Sequence, residues 1–260
     1  MKFGVPLSFG GAMFWAGALM SPVAAAPSSV HQQAVSRAAD PFAAGKAALQ
    51  RHDYKAAVRY FKTAIAKREH VIDAEIGLGS ASLSLGDFST AFQAYTRAAV
   101  FAPKNPAAAY GAADASLYYQ QYHAAVDYAS QYIGLRPRDP NGYRLRFLAE
   151  GRLAEAKLQL RDARVIIRLQ PHQSESFNDL GIALGNVGQN HAAIGAFSSA
   201  IKLQPKYAPY YINRAIVENL AKQQRQALAD LQTARRLTTD SATRKNLDQA
   251  IAKLKKRMGR

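Results

Sequence analysis

Small residues, large residues and prolines recur along this chain every 34 positions, in several columns at once. A column of alanines, broken only at Gln159, comprises Ala57, Ala91, Ala125, Ala193 and Ala227. A column of large residues comprises Phe61, Tyr95, Phe197 and Leu231, and a column of prolines comprises Pro103, Pro137, Pro171 and Pro205. One constant period without insertions predicts an array of like units.

Within each unit the pattern predicts a pair of antiparallel helices. Two helices approach closely only where small side chains face one another, a requirement that Gly181, Ala193 and Ala200 meet in one of the units. Large neighbours such as Phe177 and Phe197 then fill the space around that contact. One helix pair cannot bury its apolar face alone, so neighbouring pairs must stack.

Prolines and short polar residues mark the predicted helix ends. The proline column ends each second helix, because proline lacks an amide proton and restricts the residue before it. A capping residue followed by proline starts several first helices, as in Asn105-Pro106 and Asp139-Pro140. Asp40-Pro41 does the same in the first unit and predicts a shortened first helix there. Asp53 and Asp87 are predicted to cap second helices.

These columns resemble the tetratricopeptide repeat (TPR) family, a 34-residue helix-turn-helix with small residues at positions 8, 20 and 27 and proline at 32. Glycine occupies position 8 in three of the units, as Gly45, Gly79 and Gly181. The resemblance covers residues 38–239, in six units: 38–71, 72–105, 106–139, 140–173, 174–207 and 208–239. It implies an all-α, right-handed superhelical solenoid with a concave groove.

Two of the six units depart from the family pattern. The fourth has Gln159, Ala163 and Ile166 where small, large and small residues are usual, and the third has Ala129 and Tyr132 in place of a large and a small one. Altered packing is expected around both.

The sequence of residues 240–260 predicts a basic capping helix, on which Leu247, Ala250, Ile251, Leu254 and Met258 share one face.

The first 25 residues resemble a cleavable export signal. A short basic start at Lys2 precedes an apolar run over residues 12–20, and Val23-Ala24-Ala25 offers small residues for cleavage after Ala25. Residues 26–37 would then be a flexible lead-in, and the mature protein would be periplasmic or secreted. The alternative is a retained membrane anchor, although a spanning helix needs roughly 20 mainly apolar residues.

Composition narrows the range of functions. The chain of 260 residues has no cysteine, which excludes disulfides and thiol chemistry. Its 34 Lys and Arg residues against 18 Asp and Glu residues give a net charge of +16. Such a charge favours anionic partners. The six histidines are scattered without metal-ligand spacing, with His123 and His191 expected on the surface. We therefore expect no enzymatic activity, metal or cofactor.

The family resemblance places positions 2, 5, 9, 12 and 13 of each first helix in the groove. Positions 5 and 13 give a predicted ladder across three units, with further polar residues nearby. The ladder is Tyr110 and Tyr118, Arg144 and Arg152, Asn178 and Asn186, and the neighbours are Asp114, Asn141 and Glu175. Tyrosine and arginine suit recognition surfaces. The alternative is that Arg144 and Arg152 are merely solvated. The carboxylate clamp known in the family is not reproduced, because position 9 varies from Lys46 to Ile216.

Two hypotheses about function follow. The first is an exported, non-catalytic scaffold that binds a protein or peptide partner, for which the net charge favours an acidic one, within an envelope assembly for secretion, pilus formation or cell-wall growth. The second is direct binding of an anionic envelope polysaccharide. The basic surplus over residues 136–168 and 244–260 also fits a membrane surface, or simply solvated helix ends. Nucleic acid is not expected, because no binding motif for it occurs.

Overall fold

A computed structural model describes residues 40–259, so the predicted signal, the whole predicted lead-in and Arg260 lie outside the described residues. These residues form thirteen α-helices and no strands. The helices are α1 (Pro41–Gln50), α2 (Tyr54–Ala66), α3 (Val71–Ser84), α4 (Phe88–Phe101), α5 (Pro106–Tyr118), α6 (Tyr122–Leu135), α7 (Pro140–Arg152), α8 (Ala156–Leu169), α9 (Ser174–Asn186), α10 (Asn190–Leu203), α11 (Ala208–Leu220), α12 (Gln224–Leu237) and α13 (Ser241–Arg257).

The helices pack in chain order as a repeat array. Each odd-numbered helix from α1 to α11, here called a first helix, packs against the second helix that follows it, and that second helix packs against the next first helix. Contacts are confined to near neighbours along the array. The predicted all-α helical repeat is confirmed. None of the helices within residues 40–259 is both long and apolar enough to cross a bilayer.

The predicted caps are present. The side chains of Asp53 and Asp87 accept hydrogen bonds from backbone amides three residues later, at 3.0 Å in each case. Asn105 and Asp139 cap α5 and α7 immediately before their prolines. Asp40 does the same for α1, which has 10 residues against 13 or 14 in the other first helices. The shortened first helix is thereby confirmed.

Glycines and aromatic rings interlock between neighbouring units. A Cβ atom added at Gly79 would lie 2.5 Å from the Tyr95 ring, and one added at Gly111, in the next unit, would lie 2.1 Å from the same ring. Phe61 is held in the same way between Gly45 and Gly77. Since carbon atoms do not approach so closely, only glycine fits these positions. The contact within a unit was predicted, whereas the second contact, across units, was not.

The two divergent units pack as altered versions of the others. Tyr132 lies against Gly142 of the next unit, where an added Cβ would be 2.7 Å from its ring. Gln159 is buried and its side-chain amide donates a hydrogen bond to the backbone carbonyl of Phe147 (3.2 Å). The absence of a side chain at Gly151 makes room for it, since an added Cβ would be 2.4 Å from Gln159 Nε2. The predicted change in packing is confirmed.

The last helix covers one end of the array. Leu247 and Leu254 of α13 are buried against apolar residues of α11 and α12, and Ile251 and Met258 are partly buried beside them. Its lysines are exposed. Helix α13 therefore closes the apolar face that α11 and α12 would otherwise present to solvent.

Candidate functional site

The first helices form the inner layer of the array. Helix α1 contacts α3, α3 contacts α5, α5 contacts α7 and α9 contacts α11, whereas no comparable contact joins successive second helices within residues 40–259. Because the first helices lie closer together, the array curves with them on the inside.

We call the side chains that the first helices present at repeat positions 2, 5, 9 and 13 the groove face. Its position-2 row is Asp73, Ala107, Asn141, Glu175 and Pro209; its position-5 row is Phe42, Ile76, Tyr110, Arg144, Asn178 and Ile212; its position-9 row is Lys46, Ser80, Asp114, Leu148, Ile182 and Ile216; its position-13 row is Gln50, Ser84, Tyr118, Arg152, Asn186 and Leu220. Cations and carboxylates are equal in number on this face, so the positive surplus of the protein lies elsewhere.

Helix α5 contributes two tyrosines and a carboxylate. Tyr110 is partly buried and meets Tyr132 edge to face, with ring centroids 5.2 Å apart. Tyr118 is 49% exposed and its ring stacks on Phe88 at 5.1 Å. Asp114 lies one turn from each tyrosine and forms no hydrogen bond or ion pair with any of residues 40–259. Burial raises the pKa of Asp114 to about 6.

Helix α7 contributes two arginines, one of which is bonded within the chain and the other exposed to solvent. Arg144 donates from Nε to Asp179 Oδ2 (3.1 Å) and from Nη2 to Gln170 Oε1 (3.2 Å), so its guanidinium is engaged within the chain. Burial raises the pKa of Asp179, and Arg144 opposes that shift. Arg152 is exposed in the last turn of α7 and forms no ion pair within the described residues. Asn141 is partly buried near the start of the same helix.

Helix α9 contributes mainly structural amides. Asn178 accepts a hydrogen bond from Asn213 Nδ2 (2.8 Å), which ties α9 to α11. Asn186 donates to Gln159 Oε1 (2.7 Å) and so supports the divergent fourth unit. Glu175 is exposed and accepts a bond from the Ser174 hydroxyl.

The structure thus places all nine predicted residues on three consecutive first helices, but it does not leave them equally available. Arg144, Asn178 and Asn186 already have partners within the chain, whereas Tyr118, Arg152 and Glu175 are exposed. Their role in binding stays a prediction.

Sequence reasoning missed the aliphatic end of the groove face. The position-9 row continues from Asp114 into Leu148, Ile182 and Ile216, and Leu148 is 44% exposed. The signal was present in the sequence, because these three aliphatic residues follow Asp114 at intervals of 34 positions. An exposed apolar row on an inner surface is typical of a binding site.

An open cleft of about 890 Å³ adjoins Tyr110. Its walls include Ile76 on α3, Tyr95 on α4 and Tyr132 on α6, and Arg136 and Arg138 lie along one side. The cleft therefore lies between the second and third units, next to the aromatic part of the groove face.

Sequence reasoning also missed a polar cluster that occurs twice. Arg146 donates to both carboxylate oxygens of Asp162 (2.6 and 2.8 Å) and to Ser130 Oγ (3.0 Å), with Glu150 3.8 Å away. Burial raises the pKa of Glu150 to about 7, and the charge of Asp162 adds to the shift. The second oxygen of Glu150 is buried without a partner.

The second cluster lies two units further on. Arg214 donates to both oxygens of Asp230 (2.7 and 2.8 Å) and to Ser198 Oγ (2.9 Å), and Glu218 is 3.7 Å away. Burial again raises the pKa of Glu218 to about 7. The pattern Tyr-x-x-Arg-x-x-x-Glu with an aspartate twelve residues later recurs after two repeat lengths, which was the available sequence signal. Both clusters lie between helices and have a structural function.

Residues 40–259 contain no group of three metal-ligating side chains. His123 and His191 are exposed, as predicted.

Comparison with known proteins supports the fold. No protein-family model and no curated protein matches the sequence. Among solved structures, a TPR protein from Parabacteroides merdae has a TM-score of 0.71 at 17% identity, covering 84% of this chain and 85% of its own. YrrB, a TPR protein with an unusual peptide-binding site, has a TM-score of 0.58 at 18% identity, covering 73% of this chain and 97% of its own. A thermophilic TPR protein of Thermus thermophilus has a TM-score of 0.56 at 18% identity, covering 70% and 98%.

The helical array and these likenesses together show the fold. The chain has the fold of TPR proteins.

Proposed function

We propose that the protein is a non-catalytic scaffold that holds a peptide segment of a protein partner on its groove face. The observation that carries this proposal is the apolar row on the inner layer. Leu148 is 44% exposed, Ile182 and Ile216 are partly exposed, and Leu220, one turn after Ile216, is also 44% exposed. A groove with alternating apolar and polar positions suits a peptide, because side chains fill the apolar sites while polar groups pair with its backbone.

The polar neighbours of this row support the same conclusion. Arg152 and Glu175 are exposed on this face, one as a hydrogen-bond donor and the other as an acceptor. These groups supply donors and an acceptor beside the apolar row. The likeness to YrrB, which has a peptide-binding site, agrees with this reading.

A displayed library of random peptides tests the proposal. Selection on the wild-type protein should yield peptides that fail to bind the Leu148→Asp variant, because a carboxylate there interrupts the apolar row. Val100→Asp is the matched control, since Val100 is 66% exposed on the second helix α4. Equal binding to all three proteins, or no selected peptide, would exclude the groove face as a peptide site.

We also propose that the scaffold acts outside the cytoplasm, in a bacterial envelope assembly. The support is the signal-like segment of residues 1–25. That segment contains Trp15, the only tryptophan, so protein recovered after export should show tyrosine emission without tryptophan emission. Mass spectrometry should place its first residue at Ala26, and an intact N-terminus would contradict cleavage.

Binding of an anionic polysaccharide is the second candidate function. Four exposed cations on α8, at one-turn spacing, form a basic stripe: Lys157, Arg161, Arg164 and Arg168. Retention on immobilised alginate that weakens with salt and is lost in the double variant Arg164→Glu and Arg168→Glu would support this function. Retention unchanged in that variant would exclude the stripe as the binding surface.

A further inference from the structure

We propose that Asp114 binds a lysine or arginine side chain of the bound segment, with the alkyl part of that side chain packed against Tyr110 and Tyr118. This inference rests on the proposed peptide-binding function and specifies the chemistry of the partner at one point of the groove face.

The first step is the placement of Asp114. It lies on α5 four residues after Tyr110 and four before Tyr118, so the three side chains share one face of the helix. Its neighbours in the position-9 row are Ser80 on α3 and Leu148 on α7, and neither carries a positive charge.

The second step is the missing counter-charge. Each of the buried carboxylates Glu75, Glu150, Asp179 and Glu218 lies within 4.0 Å of an arginine nitrogen. Asp114 has no such partner within residues 40–259, and the nearest arginine of the position-5 row, Arg144, is engaged by Asp179. Taking a carboxylate out of water without a counter-charge is unfavourable. A cation from outside the chain would remove that cost.

The third step is the aromatic surroundings. Tyr110 and Tyr118 each lie one helical turn from Asp114, and burial, and after it the charge of Asp114, raises the pKa of both phenols. Half of the Tyr118 side chain is exposed, so a ligand can reach its ring. Aromatic rings attract cations and pack against the methylene groups of lysine and arginine. A carboxylate beside the accessible ring of Tyr118 and the partly buried ring of Tyr110 is therefore suited to a long basic side chain.

The chemistry excludes other classes of ligand at this point. A single carboxylate without a second oxygen or nitrogen ligand cannot hold a divalent metal. An acidic side chain would be repelled by the charge of Asp114. The inference thus replaces the acidic partner expected from the net charge with a segment that carries at least one basic residue.

Selection from a random peptide library on wild-type protein and on Asp114→Asn tests the inference. We expect wild-type binders to share a lysine or arginine at one fixed distance from their apolar residues, and Asp114→Asn binders to lack this preference. An individual wild-type binder should bind Asp114→Asn about tenfold more weakly. Replacing its basic residue by norleucine should remove that difference between the two proteins.

The controls separate this inference from the proposed function. Asp127→Asn, at an exposed position on α6, should leave the affinity unchanged. Asp114→Asn should raise the thermal unfolding midpoint at neutral pH, which shows that weaker binding is not caused by misfolding. Wild-type binders without a shared basic residue, or with equal affinity for Asp114→Asn, would overturn the inference and leave the scaffold standing. No binders at all would overturn the proposed function itself.

Discussion

Replacing Arg214 by methionine should destabilise the last helix pairs strongly. Among residues 40–259, Arg214 is the only cation within 4.0 Å of the buried carboxylates Glu218 and Asp230. Methionine keeps much of the side-chain volume but leaves both carboxylates without a counter-charge. Removal of one partner from a buried ion pair costs about 3–5 kcal/mol. We expect the free energy of unfolding of α11 and α12 to fall by that amount at neutral pH.

The equivalent change at Arg146 should cost less. Glu150 and Asp162 keep a second cation, because the guanidinium of Arg161 lies 3.4 Å from the former and 3.3 Å from the latter. The side chain of Arg161 is 54% exposed, so solvent screens its contribution to about 1 kcal/mol. The structure therefore predicts that Arg146→Met is less damaging than Arg214→Met by roughly that margin.

Hydrogen exchange resolved by helix is the appropriate assay, because an array of this kind can unfold from one end. A triple variant that adds Glu218→Gln and Asp230→Asn to Arg214→Met removes the unpaired charges and should recover most of the loss. Failure of the triple variant to recover stability, or equal losses for Arg146→Met and Arg214→Met, would refute the electrostatic reasoning.

Two further predictions concern pH and packing. Folding binds protons at Glu150 and Glu218, whose pKa values rise from 4.5 to about 7, so stability should increase as the pH falls from about 8 to 5, by about 1–3 kcal/mol per group. Thermal unfolding checks this, and changing both residues to glutamine should flatten the dependence. Gly111→Ala should cost about 1–3 kcal/mol or more by clashing with Tyr95, whereas Gly134→Ala, with open space around its Cβ, should stabilise α6 by about 0.5–1 kcal/mol. Urea unfolding midpoints that move in the same direction for both would contradict the packing argument.

The array was predictable from the sequence because the positions that repeat every 34 residues hold residues that few others can replace. Only a small residue fits at Gly79 beside Tyr95, and only a few residues cap a helix as Asp53 and Asp87 do. Each such constraint acts within one unit. A single sequence therefore reveals it wherever the unit repeats.

Whether each groove residue is exposed or paired within the chain was not predictable in the same way. Arg144 and Arg152 occupy equivalent roles in the pattern, yet one is held by Asp179 and the other is exposed. The difference arises because Asp179 lies 35 positions after Arg144, on the next first helix, whereas the residue 35 positions after Arg152 is Val187, so the pairing depends on what one particular unit supplies. The polar clusters around Arg146 and Arg214 were not predicted for a similar reason, since they repeat only at every second unit.

The contacts between first helices also determine how the array bends. The Arg144–Asp179 ion pair links α7 to α9, and the Asn178–Asn213 hydrogen bond links α9 to α11, whereas no such polar link joins the inner helices of the first two units. The spacing of α7, α9 and α11 should therefore depend on these two polar links, whereas the spacing of α1 and α3 should depend on the packing of the Phe61 ring between Gly45 and Gly77.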